Sequence, residues 1–109
     1  MDAYELRRML ELGDAITILD VRGLEGYQAS DAEIAGAIRM SMNELDSRME
    51  EISPDELLVT YGSTATDGEA DAVAQRLIRE GFRDVRPLRG GFEAYVLAGG
   101  PLVPRSRER

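Results

Sequence analysis

The chain has 109 residues, enough for one domain built on a single sheet and too few for two full hydrophobic cores. Hydrophobic residues make up 43% of it and charged residues 31%, as in an ordinary globular protein, and no apolar run approaches the roughly 20 residues of a membrane span. The formal net charge of −8 argues against nucleic acid and anionic membranes as partners, because their phosphates would be repelled.

The first forty residues predict a helix followed by short strands. Asp2 and Glu5 have the spacing of a capping box, and Gly13 ends the helix that they open. Three short segments follow, a buried strand, a helical turn and a second strand, at 15–21, 25–30 and 35–40.

The middle of the chain contains the clearest strand. Ser41 and Glu44 form a second possible capping box, and Ser53-Pro54 ends the helix that follows it. Residues 57–61 are apolar and β-branched, which predicts a buried strand. The next stretch, 62–68, is polar and is interpreted as a loop.

A strongly amphipathic helix comes after this loop. Its apolar positions have the i, i+3, i+4, i+7, i+8 spacing: Ala70, Val73, Ala74, Leu77 and Ile78. Gly81 ends it. A strand, a glycine turn and a last helix then follow, at 85–88, 90–91 and 92–98, and the tail 104–109 is polar and expected to fray.

Alternating strands and helices indicate an α/β domain with a mainly parallel sheet covered on both faces. Ligands of such folds bind beyond the carboxyl ends of the strands. Here those ends carry Asp20 and Arg22, then Tyr61 and Gly62, then Arg89.

The chain contains no cysteine and no histidine. Disulfides, thiolate nucleophiles and persulfides are therefore excluded. A zinc site would need carboxylates alone, which is unusual, so no metal and no cofactor is expected. The N-terminus lacks the basic and apolar regions of a signal peptide, and a cytoplasmic location is the default expectation.

Four stretches in order resemble the rhodanese-like family. They are Ile18 to Arg22, Ile34 to Arg39, Leu58 to Tyr61, and Val85 to Tyr95, the last followed by Ala98-Gly99. The resemblance implies a rhodanese-like α/β fold with a mainly parallel five-stranded sheet and helices on both faces. It implies one domain over 1–109, with a core of about 3–103.

The chain departs from the family pattern at two positions. Proline is usual where Ala35 stands. The residue after the strand ending in Tyr61 is normally the catalytic cysteine, and here it is Gly62. In the family, N–H groups of the loop and of the following helix form an anion cradle around that cysteine. The resemblance thus implies a vestigial active-site loop without its nucleophile: Gly62, Ser63, Thr64, Ala65, Thr66 and Asp67.

The hydroxyl groups of this loop admit two interpretations. Ser63 or Thr64 could act as a nucleophile with Asp67 or Glu69 as base. The favoured interpretation is structural, because Thr66 and Glu69 have the spacing of a capping box.

Carboxylates and arginines near the loop bear on ligand binding. Asp67, Glu69 and Asp71 suit the positive end of the helix dipole and would compete with a bound oxyanion, so oxyanion binding is expected to be weak or absent. Asp20 and Arg22 stand where the family's own bracing Asp and Arg stand. We expect an ion pair between them. Arg89 is the best remaining candidate for an anion contact, although a solvated arginine before a turn is the favoured interpretation.

The sequence supports one leading function and one alternative. The leading hypothesis is a catalytically inactive rhodanese-like domain that acts as a binding or regulatory module. It would recognise a protein partner or, as the less favoured case, a small ligand in the vestigial site. The alternative is an enzyme that uses a hydroxyl of the loop, or the silent half of a tandem sulfurtransferase.

Overall fold

The computed structural model describes residues 1–66 and 68–105, along which helices and strands alternate. The strands are β1 (Ile16–Asp20), β2 (Ala32–Ile34), β3 (Ile38–Arg39), β4 (Leu57–Tyr61), β5 (Val85–Pro87) and β6 (Leu102–Pro104). The helices are α1 (Ala3–Glu11), α2 (Leu24–Ala29), α3 (Leu45–Arg48), α4 (Glu69–Arg79) and α5 (Gly91–Ala98). None of these helices is both long enough and apolar enough to cross a membrane.

The central sheet has four parallel strands in the order β3-β1-β4-β5, not the predicted five. β2 lies outside it and pairs antiparallel with β6. The strand predicted at 35–40 is reduced to β3, because Gly36 has a φ of +82° and Ala37 donates to the carbonyl of Ile34, which makes a turn between β2 and β3.

The sheet separates two hydrophobic cores. Consecutive residues of a strand point to opposite faces, so Leu19 and Leu58 enter one core while Ile18 and Val59 enter the other. The first core is closed by α3 and α4, and the second by α1 and α5. Helices thus cover both faces of the sheet, as the alternating pattern predicted.

The helices follow the apolar patterns with local exceptions. α4 buries Ala70, Val73, Ala74 and Leu77, whereas Ile78, predicted on the same face, is 52% exposed. The helix predicted after Ser41 is only the short α3, flanked by 3-10 turns at Met42–Glu44 and Met49–Glu51.

The Asp2 cap predicted for α1 is present, and so is the predicted contact between Ser41 and Glu44 before the 3-10 turn at Met42–Glu44. The Asp2 carboxylate accepts hydrogen bonds from the N–H groups of Tyr4 and Glu5. The Glu44 carboxylate accepts from the backbone N–H and the hydroxyl of Ser41. Hydrogen bonding to Ser41 lowers the pKa of Glu44.

The first two residues of the C-terminal tail, 104 and 105, form main-chain contacts that the sequence did not predict. Pro104 is paired with Ala32 at the end of β6, and the N–H of Arg105 donates to the carbonyl of Asp31 at 2.8 Å. The first two residues of the tail predicted to fray are thus paired with or hydrogen-bonded to the segment around β2. Residues 106–109 lie outside the described residues.

A buried ion pair braces the carboxyl end of β1. Nε and Nη2 of Arg22 donate to the two carboxylate oxygens of Asp20 at 3.0 and 2.8 Å, with side-chain exposures of 1% and 0%. Burial opposes the guanidinium charge, but the hydrogen bonds and the charge of Asp20 outweigh it and raise the pKa of Arg22. The ion pair expected from the sequence is present.

Arg39 joins this pair from the neighbouring strand. β3 lies in register with β1, with Arg39 opposite Asp20. Nη1 of Arg39 donates to the carbonyl of Arg22 at 2.6 Å and lies 3.5 Å from the Asp20 carboxylate. Arg22 also donates to the carbonyl of Ala32, so the pair connects β1, β2 and β3.

Substitution of Asp20 should lower the free energy of unfolding far more than substitution of the aspartate in an equivalent ion pair at the surface. Asp84 and Arg86 have the same two-residue spacing and the same bidentate geometry, but are 47% and 45% exposed. Asp20→Asn should lower the free energy of unfolding by about 3–5 kcal/mol, because it leaves a buried guanidinium uncompensated.

The matched control Asp84→Asn should cost less than about 1 kcal/mol. Denaturant unfolding of both variants at neutral pH gives the comparison. Equal losses for the two variants would contradict the bracing role of the buried pair.

Candidate functional site

The candidate site lies where β4 ends. Tyr61 is the last residue of β4, Gly62 follows it, and α4 begins at Glu69. We call 62–68 the β4–α4 loop. The predicted site residues Gly62, Ser63, Thr64, Ala65 and Thr66 all lie in it, whereas Asp67 lies outside the described residues.

The start of α5 holds the loop through main-chain hydrogen bonds. The N–H of Phe92 donates to the carbonyl of Gly62 at 2.8 Å, and that of Glu93 donates to the carbonyl of Ser63 at 3.0 Å. A Cβ at Gly91 would come within 2.7 Å of the Gly62 carbonyl oxygen, so this close approach requires glycine. The carbonyl oxygens of Gly62 and Ser63 are thereby directed at α5.

On its other side the loop packs against α2. A Cβ at Gly26 would overlap the hydroxyl oxygen of Ser63. A Cβ at Gly23 would lie 2.9 Å from a carboxylate oxygen of Glu69. The side chains of Ser63 and Glu69 therefore face α2 and the turn that precedes it.

A cavity of about 490 Å³ opens on the loop. We call it the loop cavity, and the residues that line it include Gly62, Thr64, Gly68, Asp71 and Arg89. Arg89 is exposed, and its backbone N–H is bound to the carbonyl of Met1 at 2.8 Å. Because the carboxylate of Asp71 lines the same cavity as Arg89, a bound anion would meet charges of both signs.

The capping box predicted for α4 is wrong. The residue that caps this helix is Gly68, which has a φ of +71° and whose carbonyl accepts from the N–H of Ala72. Thr66 is exposed two residues earlier and its N–H lies 3.4 Å from the hydroxyl oxygen of Thr64. A glycine in the left-handed region turns the chain into the helix without any side-chain cap.

The hydroxyls and the possible bases are only partly brought together. Thr64 lines the loop cavity, and its hydroxyl lies 3.4 Å from that of Thr66. Ser63 and Glu69 are directed away from this cavity. Within 1–66 and 68–105, no group of three or more acidic residues is arranged to hold a metal ion.

Aromatic rings connect the ion pair to the loop. Cζ of Arg22 lies 4.3 Å from the centre of the Phe92 ring, with the rings of Tyr27 and Tyr61 at 5.3 and 5.5 Å. Tyr61 and Phe92 are stacked with their ring centres 5.9 Å apart. Burial raises the pKa of the Tyr61 phenol, so this hydroxyl stays protonated at neutral pH. Asp20 thus fixes Arg22, Arg22 supports Phe92, and Phe92 holds Gly62.

Two residues of this cluster were missed by sequence reasoning. Arg39 stacks on Tyr27 at 4.1 Å, and Tyr27 also lies 4.9 Å from Cζ of Arg105. Arg39 could have been found, since it ends the strand that neighbours Asp20. Tyr27 carries no such signal, because its position depends on how α2 packs.

Comparison with known proteins agrees with this geometry. The rhodanese-like domain model matches residues 2–98. A transcriptional regulator of the HTH type from Mycobacterium tuberculosis, Rv0324, is 39% identical over 99 residues, which cover 90% of this chain and 42% of the regulator. The chain therefore spans less than half of that relative.

Two other matches, a shorter relative and a solved structure, extend over most of both proteins. The thiosulfate sulfurtransferase GlpE of Coxiella burnetii is 30% identical over 95 residues, covering 87% of this chain and 81% of GlpE. The crystal structure of the Alr3790 protein from Anabaena is 33% identical, with a TM-score of 0.81 over 95% of this chain and 91% of the other. The chain belongs to the rhodanese-like domain family.

Proposed function

We propose that this protein is a catalytically inactive rhodanese-like domain that acts as a binding or regulatory module. The observation that supports the proposal is Gly62, which stands where the family places its cysteine, at the end of β4. The loop around it is still held by Phe92 and Glu93, so the scaffold is retained while the reactive atom is missing.

The chemistry of sulfur transfer requires an atom that this chain lacks. The thiolate attacks the outer sulfur of a donor such as thiosulfate, whose S–S bond breaks to release sulfite and leave a persulfide. A thiophilic acceptor then takes that outer sulfur and releases the thiolate. With no cysteine among 109 residues, no side chain can carry the persulfide. Methionine, whose sulfur already bears two carbons, cannot take its place.

An enzyme that uses a loop hydroxyl is less well supported. Such a nucleophile needs a base within hydrogen-bond reach. Ser63 is packed against Gly26, and Glu69, one of the two candidate bases, is directed at Gly23. The other candidate, Asp67, lies outside the described residues.

A regulatory role agrees with one of the two curated relatives, whereas the other, GlpE, is named a thiosulfate sulfurtransferase. One of them is named a transcriptional regulator, and this chain matches 42% of it, so domains of this family occur in regulatory proteins. For the present chain we propose a protein partner in the cytoplasm. Oxyanion binding at the loop is proposed to be weak, because Asp71 opposes Arg89 in the loop cavity.

Purified protein should catalyse no transfer of sulfur from thiosulfate to cyanide. After incubation with thiosulfate, intact mass spectrometry should show no added sulfur, since no thiol is available to form a persulfide. Gly62→Ser serves as a matched inactive control. Turnover by the unaltered protein above that of Gly62→Ser would contradict the proposal.

A cysteine placed at position 62 should have a lowered pKa. Gly62 does not have a positive φ, so its backbone conformation is open to residues other than glycine. The thiol of Gly62→Cys should titrate below its ordinary value of about 8.5, because it lies before the N-terminus of α4. The rate of alkylation as a function of pH measures this value.

The two nearby carboxylates provide the control for this measurement. Adding Asp71→Asn should lower the thiol pKa further, because Asp71 lines the loop cavity and its charge disfavours the thiolate. Adding Glu69→Gln should change it less, because Glu69 faces α2. A thiol that titrates at or above 8.5 in every background would show that the anion cradle has been lost.

A further inference from the structure

The outward side of α5 is apolar and exposed. α5 has eight residues and a single charge, that of Glu93. A helix that is apolar on all sides is normally buried on all sides. In the structure, however, Leu97 is 81% exposed and Val96 is 44% exposed. Among the described residues, nothing covers this side of α5 as its composition would require.

The first helix extends this apolar surface. Tyr4 of α1 is 66% exposed, and together with Leu97 it lines a cavity of about 300 Å³ between the two helices. Arg8 is exposed one helical turn after Tyr4, and both line a neighbouring cavity. Glu93 is exposed one turn before Leu97. We call these residues the α1–α5 face: Tyr4, Arg8, Glu93, Val96 and Leu97.

The two helices lie side by side and run in the same direction. At their starts, the N–H of Arg89 donates to the carbonyl of Met1 at 2.8 Å. Further along, Nη1 of Arg7 donates at 2.7 Å to the carbonyl of Ala98, the last residue of α5. A residue late in α1 and a residue early in α5 are consequently far apart along the direction of the helices.

The charged residues of the α1–α5 face have opposite signs and lie at opposite ends of it. Arg8 is in the last turn of α1 and Glu93 is in the first turn of α5, so Tyr4 and Leu97 lie between them. Within 1–66 and 68–105, neither charge takes part in an ion pair. The face thus has an apolar centre, a positive end and a negative end.

Such a distribution of charge is complementary to itself. A two-fold axis between two facing copies makes each contact occur twice, with the roles of the copies exchanged. When that axis crosses the centre of the face, Arg8 of each copy meets Glu93 of the other. The exposed parts of Tyr4 and Leu97 are buried in the same step.

The charge of the whole chain distinguishes this face from an average part of the surface. The net charge of −8 makes two copies repel each other in most orientations. The α1–α5 face carries one charge of each sign, so this repulsion is weakest there. For the same reason, a strongly basic or strongly acidic partner finds no complementary field on this face.

We propose that the α1–α5 face binds a second copy of this chain, with Arg8 of each copy paired to Glu93 of the other. Each of the two helices is only about 13 Å long. The area buried is therefore expected to lie below the roughly 1,200 Å² of stable complexes, which makes the dimer weak and reversible. This inference goes beyond the proposed function and does not depend on the inactivity of the β4–α4 loop.

Sedimentation equilibrium of the full chain, from about 20 μM to about 1 mM, measures this association. The average mass should rise with concentration from that of one chain towards that of two. Leu97→Glu places a charge in the apolar centre and should weaken the association about tenfold or more.

Ile78→Glu is the matched control for this variant. Ile78 lies on α4, which covers the opposite face of the sheet, and is 52% exposed. The substitution adds the same charge to a second exposed apolar site, and it should change the dissociation constant less than about twofold.

Exchange of the two charges separates the specific pair from general repulsion. Arg8→Glu makes the chain more negative and Glu93→Arg makes it less negative, so general repulsion predicts opposite effects of the two variants. The proposed pairing predicts that each variant alone weakens the association about tenfold, because like charges then meet. The double variant should restore the association to within about threefold of the unaltered chain. Far-UV circular dichroism shows whether each variant is folded.

Several outcomes would overturn the assignment. They are a chain that stays monomeric at about 1 mM, equal effects of Leu97→Glu and Ile78→Glu, and a double charge variant that associates no better than the single variants. The sulfur-transfer assay is independent of these results. Turnover there would contradict the proposed inactivity, whereas a monomeric chain would contradict only the assignment of this face.

Discussion

The guanidinium of Arg22 lies beneath the β4–α4 loop at 1% exposure, and the carboxylate of Asp20 holds it there. Taking this pair from water is costly, and both hydrogen bonds are needed to offset the cost. Around the guanidinium lie three aromatic rings from α2, β4 and α5. The position of each of these elements at the carboxyl edge of the sheet therefore depends on one buried charge pair.

At this edge of the sheet the β4–α4 loop contacts α5 on one side and α2 on the other. α5 approaches through Gly91 and supplies main-chain donors, while α2 approaches through Gly23 and Gly26 and accommodates side chains of the loop and of Glu69. Asp71 lines the loop cavity, whereas Glu69 lines a second cavity of about 500 Å³ together with Arg22 and Tyr27. Asp71 and Glu69, two residues apart on α4, consequently serve different cavities.

The parts of this arrangement with a local signal could be predicted from the sequence. Apolar residues at consecutive positions such as Ile18 and Leu19 indicated a sheet covered on both faces, and Asp20 and Arg22 lie two residues apart at a strand end. The pairing of β2 with β6 could not be predicted, because each strand has three residues and they come from distant parts of the chain. The cap of α4 was misassigned to Thr66, since Gly68 acts through its backbone and has no side chain to reveal the role.

Anchoring by Phe92 and Glu93 has a consequence for how this loop can diverge. Both donors bind carbonyl oxygens, which every amino acid possesses, so these two hydrogen bonds do not depend on which side chains stand at positions 62 and 63. Loss of a cysteine at the end of β4 would therefore remove reactivity without a matching loss of shape. The function of such a domain can therefore change while its fold is retained.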